Sequence, residues 1–237
     1  SIIFSTSTDF QDIDLLWEGL RLKGTSNDTQ LEYIRISGVG QGDDVLQAPL
    51  SISSAHNSII NNVMINSNYI PGSCGGISIA GSIVTIEDVL IYDNFSTTML
   101  MIDQSNTILN RIAIVNNMIE EVFFIGGFLI SVNESSGVYS NFTVTENRVE
   151  GGDDIFGSLF NIIDNFSTQI SPIMYNSIVW NNNLNSYKTL FSFTGMTANY
   201  SNISLALEDE QSLGEFNINS DPLFVNPEDI LINLDLN

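Results

Sequence analysis

The sequence has 237 residues, of which 43% are hydrophobic, so there is enough apolar material for one sizeable core or two small ones. The charge is lopsided, with 28 acidic against 6 basic residues and a net charge of −22, which excludes a nucleic-acid-binding surface built on clustered Lys and Arg. No run of 18 apolar residues occurs, so no membrane insertion is predicted, and the single cysteine, Cys74, excludes an intrachain disulfide.

Strand signals occur along the whole chain as short runs of β-branched and aromatic residues between Gly, Asn, Asp and Ser. Their inward-facing residues fall into two series of pairs. The first series is Leu20/Leu22, Leu50/Ile52, Ile77/Ile79, Met99/Met101, Ile130/Val132, Phe160/Ile162 and Phe191/Phe193. The second series is Ile34/Ile36, Val63/Ile65, Val89/Ile91, Ile112/Ile114, Phe142/Val144, Ser177/Val179 and Ile203/Leu205.

The spacing of the two series predicts a repeat. From the first series to the second the chain advances by 12 to 17 residues, whereas successive members of the first series lie 22 to 31 residues apart. One loop in each repeat therefore absorbs most of the length differences, which is typical of coils stacked along an axis. An asparagine closes the second series in five repeats, at Asn68, Asn94, Asn117, Asn147 and Asn182. The sequence thus predicts an all-β, single-domain, right-handed parallel β-helix of about seven coils.

The predicted β-helix covers residues 1–237. Within it, residues 1–19 are expected to end a preceding coil and residues 20–207 to form the regular coils. Residues 208–237 are expected to form an acidic excursion and a terminal strand segment. Since the chain begins without Met or a signal-type segment, we expect it to be a piece of a longer protein.

Three segments near the N-terminus and one near the C-terminus resemble secreted bacterial proteins with a right-handed parallel β-helix. They are residues 2–5 (IIFS), 17–22 (WEGLRL), 31–38 (LEYIRISG) and 220–227 (SDPLFVNP), the last of which is similar to an element that closes such helices. The resemblance implies a pectate-lyase-like architecture and an extracellular or cell-surface location. It does not carry an activity with it, because this fold supports unrelated functions.

Two pairs of acidic residues are candidates for calcium ligands. Asp43 and Asp44 follow one glycine, and Asp153 and Asp154 follow another. Carboxylate oxygens suit calcium, but paired Asp residues beside Gly are also common in ordinary turns, so both interpretations stay open. No other cofactor is predicted.

One outward face of the second series is unusually apolar for a surface in contact with solvent. The residues that carry this feature are Leu90, Tyr92, Val115, Ile178 and Trp180. Such a patch predicts a binding surface for carbohydrate, for another protein or for a second copy of the chain, unless a loop of the same chain covers it.

The sequence gives little reason to assign an enzyme activity. We expect a non-catalytic extracellular or cell-surface module for adhesion, glycan binding or structural assembly. The alternative is a carbohydrate-active enzyme, a polysaccharide lyase or glycoside hydrolase, which would use acidic residues and calcium.

Overall fold

The computed structural model describes residues 2–4, 18–24, 28–40, 48–120, 127–150, 157–163, 172–180, 182, 191–193, 197–203 and 215–222. Within these residues the regular structure consists of β-strands, which form a parallel β-solenoid of about five turns. The predicted all-β class and parallel β-helix are therefore confirmed, whereas the count of seven coils is not confirmed. The described part of the chain contains no helix with the length and hydropathy of a membrane span.

Twenty strands lie in the described residues. They are β1 (Ile2–Phe4), β2 (Leu20–Leu22), β3 (Gln30–Ser37), β4 (Leu50–Ser53), β5 (His56–Asn66), β6 (Tyr69–Ala80), β7 (Ile83–Tyr92), β8 (Phe95–Asp103), β9 (Asn106–Val115), β10 (Met118–Glu120), β11 (Gly127–Asn133), β12 (Ser136–Ser140), β13 (Thr143–Thr145), β14 (Arg148–Glu150), β15 (Gly157–Ile163), β16 (Ile173–Tyr175), β17 (Ile178–Trp180), β18 (Phe191–Phe193), β19 (Thr197–Asn199) and β20 (Asn202–Ile203).

The strands form two sheets that run along the solenoid axis. The larger sheet follows the order β1-β3-β5-β7-β9-β12-β16-β19, with β13, β17 and β20 beside this path. The smaller sheet follows the order β18-β15-β11-β8-β6-β4-β2, with β10 and β14 beside it. Every strand pairing in the described residues is parallel and joins one coil to the next.

Each coil has three faces that meet at corners. In the coil of β7 and β8 the first face is 83–87, the second face is 89–92 and the third face is 95–103. A single residue with left-handed backbone makes each corner, and Asn, Asp, Gly and Ser are common there because they tolerate positive φ or bond locally to the backbone. The corner before the first face uses Ser54, Gly81, Gln104 and Glu134, the next uses Asn62, Asp88, Arg111, Asn141 and Asn176, and the last uses Ser67, Asp93, Asn116 and Glu146.

Columns of aliphatic side chains fill the interior. The longest column consists of Ile36, Ile65, Ile91, Ile114, Val144, Val179 and Ile203, which are aligned rung by rung and fully buried. Burial of one such side chain contributes about 1.5–3 kcal/mol. The predicted stack of Ile65, Ile91 and Ile114 is therefore confirmed. In the last coil the alignment differs from the prediction, because Ile203 pairs with Val179 and not with Ser177.

The inward pair of the fourth coil was predicted one residue too early. Leu100, not Met99, is aligned with Ile77 and Ile130. The four residues Met99 to Ile102 are all apolar, so they contain no alternation that could fix which side chains point inward.

Two hydrogen-bonded ladders hold the corners together. In the asparagine ladder each buried side-chain oxygen accepts the backbone N–H of the asparagine one rung earlier: Asn68 to Asn94 at 3.1 Å, Asn94 to Asn117 at 3.1 Å, Asn117 to Asn147 at 3.0 Å and Asn147 to Asn182 at 3.1 Å. In the serine ladder the Ala55, Ser82 and Ser105 N–H groups donate to the hydroxyls of Ser82, Ser105 and Ser135. These side chains replace the backbone pairing that a sharp corner interrupts.

Candidate functional site

The second face was predicted to be an open apolar surface, and its alignment agrees with the prediction. Tyr92 is aligned with Val115 on the next rung. Ala113, Thr143 and Ile178 are aligned on three successive rungs. The exposure does not agree, because Leu90 is only 3% exposed and Val115 only 1% exposed.

Leu90 and Val115 belong to a small apolar cluster with Ala113, against which Met64 and Tyr92 pack. The two buried residues are therefore unavailable to a partner of the folded chain, and their expected exposure is wrong. Alternation along a strand shows that these side chains point outward, but it does not show that they are buried against one another.

Tyr92, Ile178 and Trp180 are partly exposed on the same face. The Tyr92 hydroxyl donates to the Met64 sulfur at 3.8 Å, and partial burial raises the pKa of Tyr92, with Arg35 opposing this shift. Binding of a partner by these three side chains stays a prediction.

The first face carries an exposed column of β-branched residues, which we call the outer stripe. The outer stripe consists of Ile59, Thr85, Ile108, Val138 and Ile173, aligned on five successive rungs. Ile59, Ile108 and Val138 are 41%, 50% and 41% exposed, which is high for side chains of this type. Ile83, on the same face as Thr85 and two residues earlier, is 48% exposed and widens the apolar surface.

A polar column, the border column, runs beside the outer stripe, two residues further along each strand. The border column consists of Asn61, Glu87, Asn110 and Ser140, which lie beside Ile59, Thr85, Ile108 and Val138. Glu32 continues the column on the rung before Ile59. The Asn110 side-chain oxygen accepts the Ser140 hydroxyl at 3.1 Å and the Asn141 amide at 2.8 Å. Amide, hydroxyl and carboxylate groups are thus fixed next to the apolar surface.

One guanidinium is bound at the corner that follows the border column. The Arg111 Nη2 atom donates to Glu87 Oε2 at 2.9 Å and to Asp88 Oδ2 at 2.8 Å on the preceding rung. The hydrogen bond to Asp88 is the largest cause that raises the pKa of Arg111. This corner of the solenoid therefore already accommodates a cation in an exposed position.

The outer stripe was missed in the sequence because each corner changes the phase of the strand. From Ile60 to Val63 two inward residues are three positions apart, since the left-handed Asn62 inserts one residue. The signal was nevertheless present, because every member of the outer stripe lies four positions before the first residue of a second-series pair.

An exposed aromatic pair also escaped prediction. The rings of Tyr200 and Phe216 are stacked with centroids 5.0 Å apart on neighbouring rungs, and both side chains are exposed. Ile218 follows as an outward residue and is 59% exposed.

The acidic residues of the third face do not assemble a metal site within the described ranges. The Asp103 carboxylate accepts the Asn133 amide from the next rung, and no group of three metal-ligating side chains occurs among the described residues. The candidate calcium ligands Asp43, Asp44, Asp153 and Asp154 lie outside the described residues. Calcium binding therefore stays a prediction.

Cys74 has a structural environment. Its thiol is buried, donates to the Ile77 carbonyl at 3.3 Å and lies 3.6 Å from the Met99 carbonyl. Burial raises the pKa of the thiol to about 12, so the reactive thiolate is not formed near neutral pH.

The fold and its faces define a parallel β-solenoid with an exposed β-branched stripe beside fixed polar groups. Comparison of the chain with protein families, with curated proteins and with solved structures finds no match.

Proposed function

We propose that the chain is a non-catalytic extracellular or cell-surface module that binds a partner through its first face. The observation that carries this proposal is the outer stripe, in which Ile59, Ile108 and Val138 are exposed and aligned with the partly exposed Thr85 and Ile173. An exposed apolar surface of this kind is costly to keep in water and commonly marks an interaction site.

The first face is well suited to adhesion because its side chains are already ordered. The strands beneath it are paired on both sides, in the order β3-β5-β7-β9-β12-β16-β19. Valine, isoleucine and threonine are stiff at the first side-chain torsion, so binding fixes little additional motion. Association at such a surface therefore loses less conformational entropy than association at a loop.

The finer features of the sequence prediction belong to the same proposal. We propose a right-handed solenoid of seven coils, since a crossover between parallel strands is almost always right-handed. The resemblance to secreted bacterial β-helix proteins supports the extracellular location. We also propose that Asp43 and Asp44, or Asp153 and Asp154, bind calcium.

The proposal is tested by binding and turnover measured on the same preparation. The full chain is incubated with a panel of soluble and insoluble polysaccharides and with surfaces coated with extracellular proteins, with and without chelator. We expect retention on at least one surface and no release of new sugar ends. A chelator-sensitive appearance of cleaved sugar would instead support the carbohydrate-active enzyme, and loss of retention on every surface would contradict a binding module.

A further inference from the structure

We infer that the outer stripe and its border column bind a cationic amphipathic segment of another protein. This inference rests on the proposed binding function and names the chemistry of the partner. The bound segment would place a row of aliphatic or aromatic side chains on the outer stripe and Lys or Arg side chains toward Glu32 and the other polar groups of the border column.

The dimensions of the outer stripe favour a single extended segment. Five rungs at a spacing of about 4.8 Å give a length of about 19 Å, and the stripe is one to two side chains wide. Its area is roughly 200 Å², well below the about 800 Å² per partner of a stable protein–protein interface. A flat second copy of the chain would therefore need much more contact than the outer stripe supplies.

The pairing of the strands restricts how the segment is bound. Backbone N–H and C=O groups of β5, β7 and β9 are already bonded to the strands on either side. A partner therefore cannot add a strand to this face, and recognition depends on side chains. The outer stripe supplies the apolar contact, and the border column supplies hydrogen-bond acceptors.

Charge selects a cationic partner. The chain carries a net charge of −22, so a second copy is repelled and a basic segment is attracted during approach. Near the first face, Glu32 is an exposed carboxylate in the border column, and Glu87 with Asp88 binds the Arg111 guanidinium. Since Glu87 and Asp88 are already paired with Arg111, the attraction for a partner's Lys or Arg comes from Glu32 and from the net charge of the chain.

The test uses synthetic peptides as probes for the full chain. A fluorescent peptide that repeats Leu-Leu-Lys-Lys presents Leu and Lys on the same face of an extended segment and so carries both features of the inferred partner. A Lys–Ser peptide lacks the apolar row, and a Glu–Leu peptide reverses the charge. We expect the Lys–Leu peptide to bind most tightly by fluorescence anisotropy, and the other two to bind at least about tenfold more weakly.

A matched pair of variants locates the binding site. The triple variant Ile59→Thr/Ile108→Thr/Val138→Thr keeps β-branched side chains, so that the sheet is retained while apolar surface is lost. We expect its affinity for the Lys–Leu peptide to fall at least about tenfold. Ile218→Thr changes an exposed isoleucine far along the axis and should leave the affinity unchanged. Equal urea midpoints of the two variants show that both remain folded.

The other possible results overturn the inference or assign the outer stripe to a different partner. Equal binding of the Lys–Leu and Lys–Ser peptides, or equal affinities of wild type and triple variant, would overturn the inference, because charge alone would then explain binding. Dimers in sedimentation velocity that disappear in the triple variant would assign the outer stripe to a second copy. Retention on polysaccharide that is lost in the triple variant, without peptide binding, would overturn the inference while leaving the proposed binding function intact.

Discussion

At the scale of single residues, the asparagine ladder supplies hydrogen bonds to backbone groups at the corners. The fully buried Asn117 accepts from the Asn94 N–H through its oxygen, and its amide nitrogen donates to the Ile91 and Val115 carbonyls at 3.0 and 3.1 Å. An amide can accept a hydrogen bond from the preceding rung and also donate to carbonyls of that rung and of its own rung. Asn117 therefore satisfies the backbone at a corner where regular pairing stops.

Replacement of Asn117 by Ala should destabilise the solenoid strongly. The change leaves the Asn94 N–H and two carbonyl groups buried without partners, and each such group costs about 1–3 kcal/mol. We expect the free energy of unfolding in urea to fall by about 3 kcal/mol or more. Asn106→Ala, in an exposed position of the adjoining strand β9, is the matched control and should change it by less than about 0.5 kcal/mol. Equal losses in the two variants would contradict a special role for the ladder.

At the scale of one strand, β7 displays both environments of the solenoid within ten residues. Ile91 is fully buried in the axial column, whereas Ile83 is 48% exposed on the first face. The same side chain in the same strand therefore makes very different contributions. The left-handed Asp88 lies between the two isoleucines and shifts the alternation by one residue. Ile83 therefore points outward and Ile91 inward.

Truncation of these two isoleucines should separate core packing from surface exposure. Ile91→Ala opens a cavity between Ile65 and Ile114 and is expected to lower the free energy of unfolding by about 2–5 kcal/mol. Ile83→Ala removes a side chain that is largely in water and should cost less than about 1 kcal/mol. Urea unfolding followed by circular dichroism measures both, and a reversal of this order would refute the assignment of inward and outward positions.

Strands were predictable wherever alternation was clean. The Ile65, Ile91 and Ile114 column and the asparagine positions were read from the sequence correctly, because inward residues recur at nearly fixed intervals. The run that contains Met99 and Leu100 was misassigned, because alternation is absent there.

The functional surface was harder to predict than the strands. Leu90 and Val115 lie in a cluster with Ala113, Met64 and Tyr92, and the periodicity of one strand does not encode these contacts. The outer stripe depends on the one-residue phase change at each corner, so that its members are aligned only after the corners are located. The faces can thus be predicted from the sequence once the corners are known, whereas the burial of a side chain on an outward face cannot.

At the scale of the whole molecule, charge opposes the stacking of coils. The six basic residues cannot balance the 28 acidic ones, and Glu120 is aligned with Glu150 on the next rung. Since the contacts of a solenoid are made between adjacent coils, this repulsion acts on the same interfaces that stabilise the fold.

Salt should therefore stabilise the chain. Between about 0.01 M and about 1 M sodium chloride the Debye length falls from about 30 Å to about 3 Å, which screens the repulsion between coils. We expect the urea midpoint to rise over this range and potassium chloride to give the same rise. A larger rise with calcium chloride at equal ionic strength would support the predicted calcium ligands, and a falling midpoint in sodium chloride would contradict the role given to charge.

The third face contains one point at which coil length varies. Between two aligned pairs the chain advances four residues from Ser96 to Leu100, seven from Ile70 to Ile77 and eleven from Ile119 to Ile130, while the flanking rungs remain in register. Since this point lies away from the asparagine and serine ladders, additions there disturb neither. Foreign peptides could be displayed at this position on several coils at once, arranged in a row with a spacing that the backbone itself dictates.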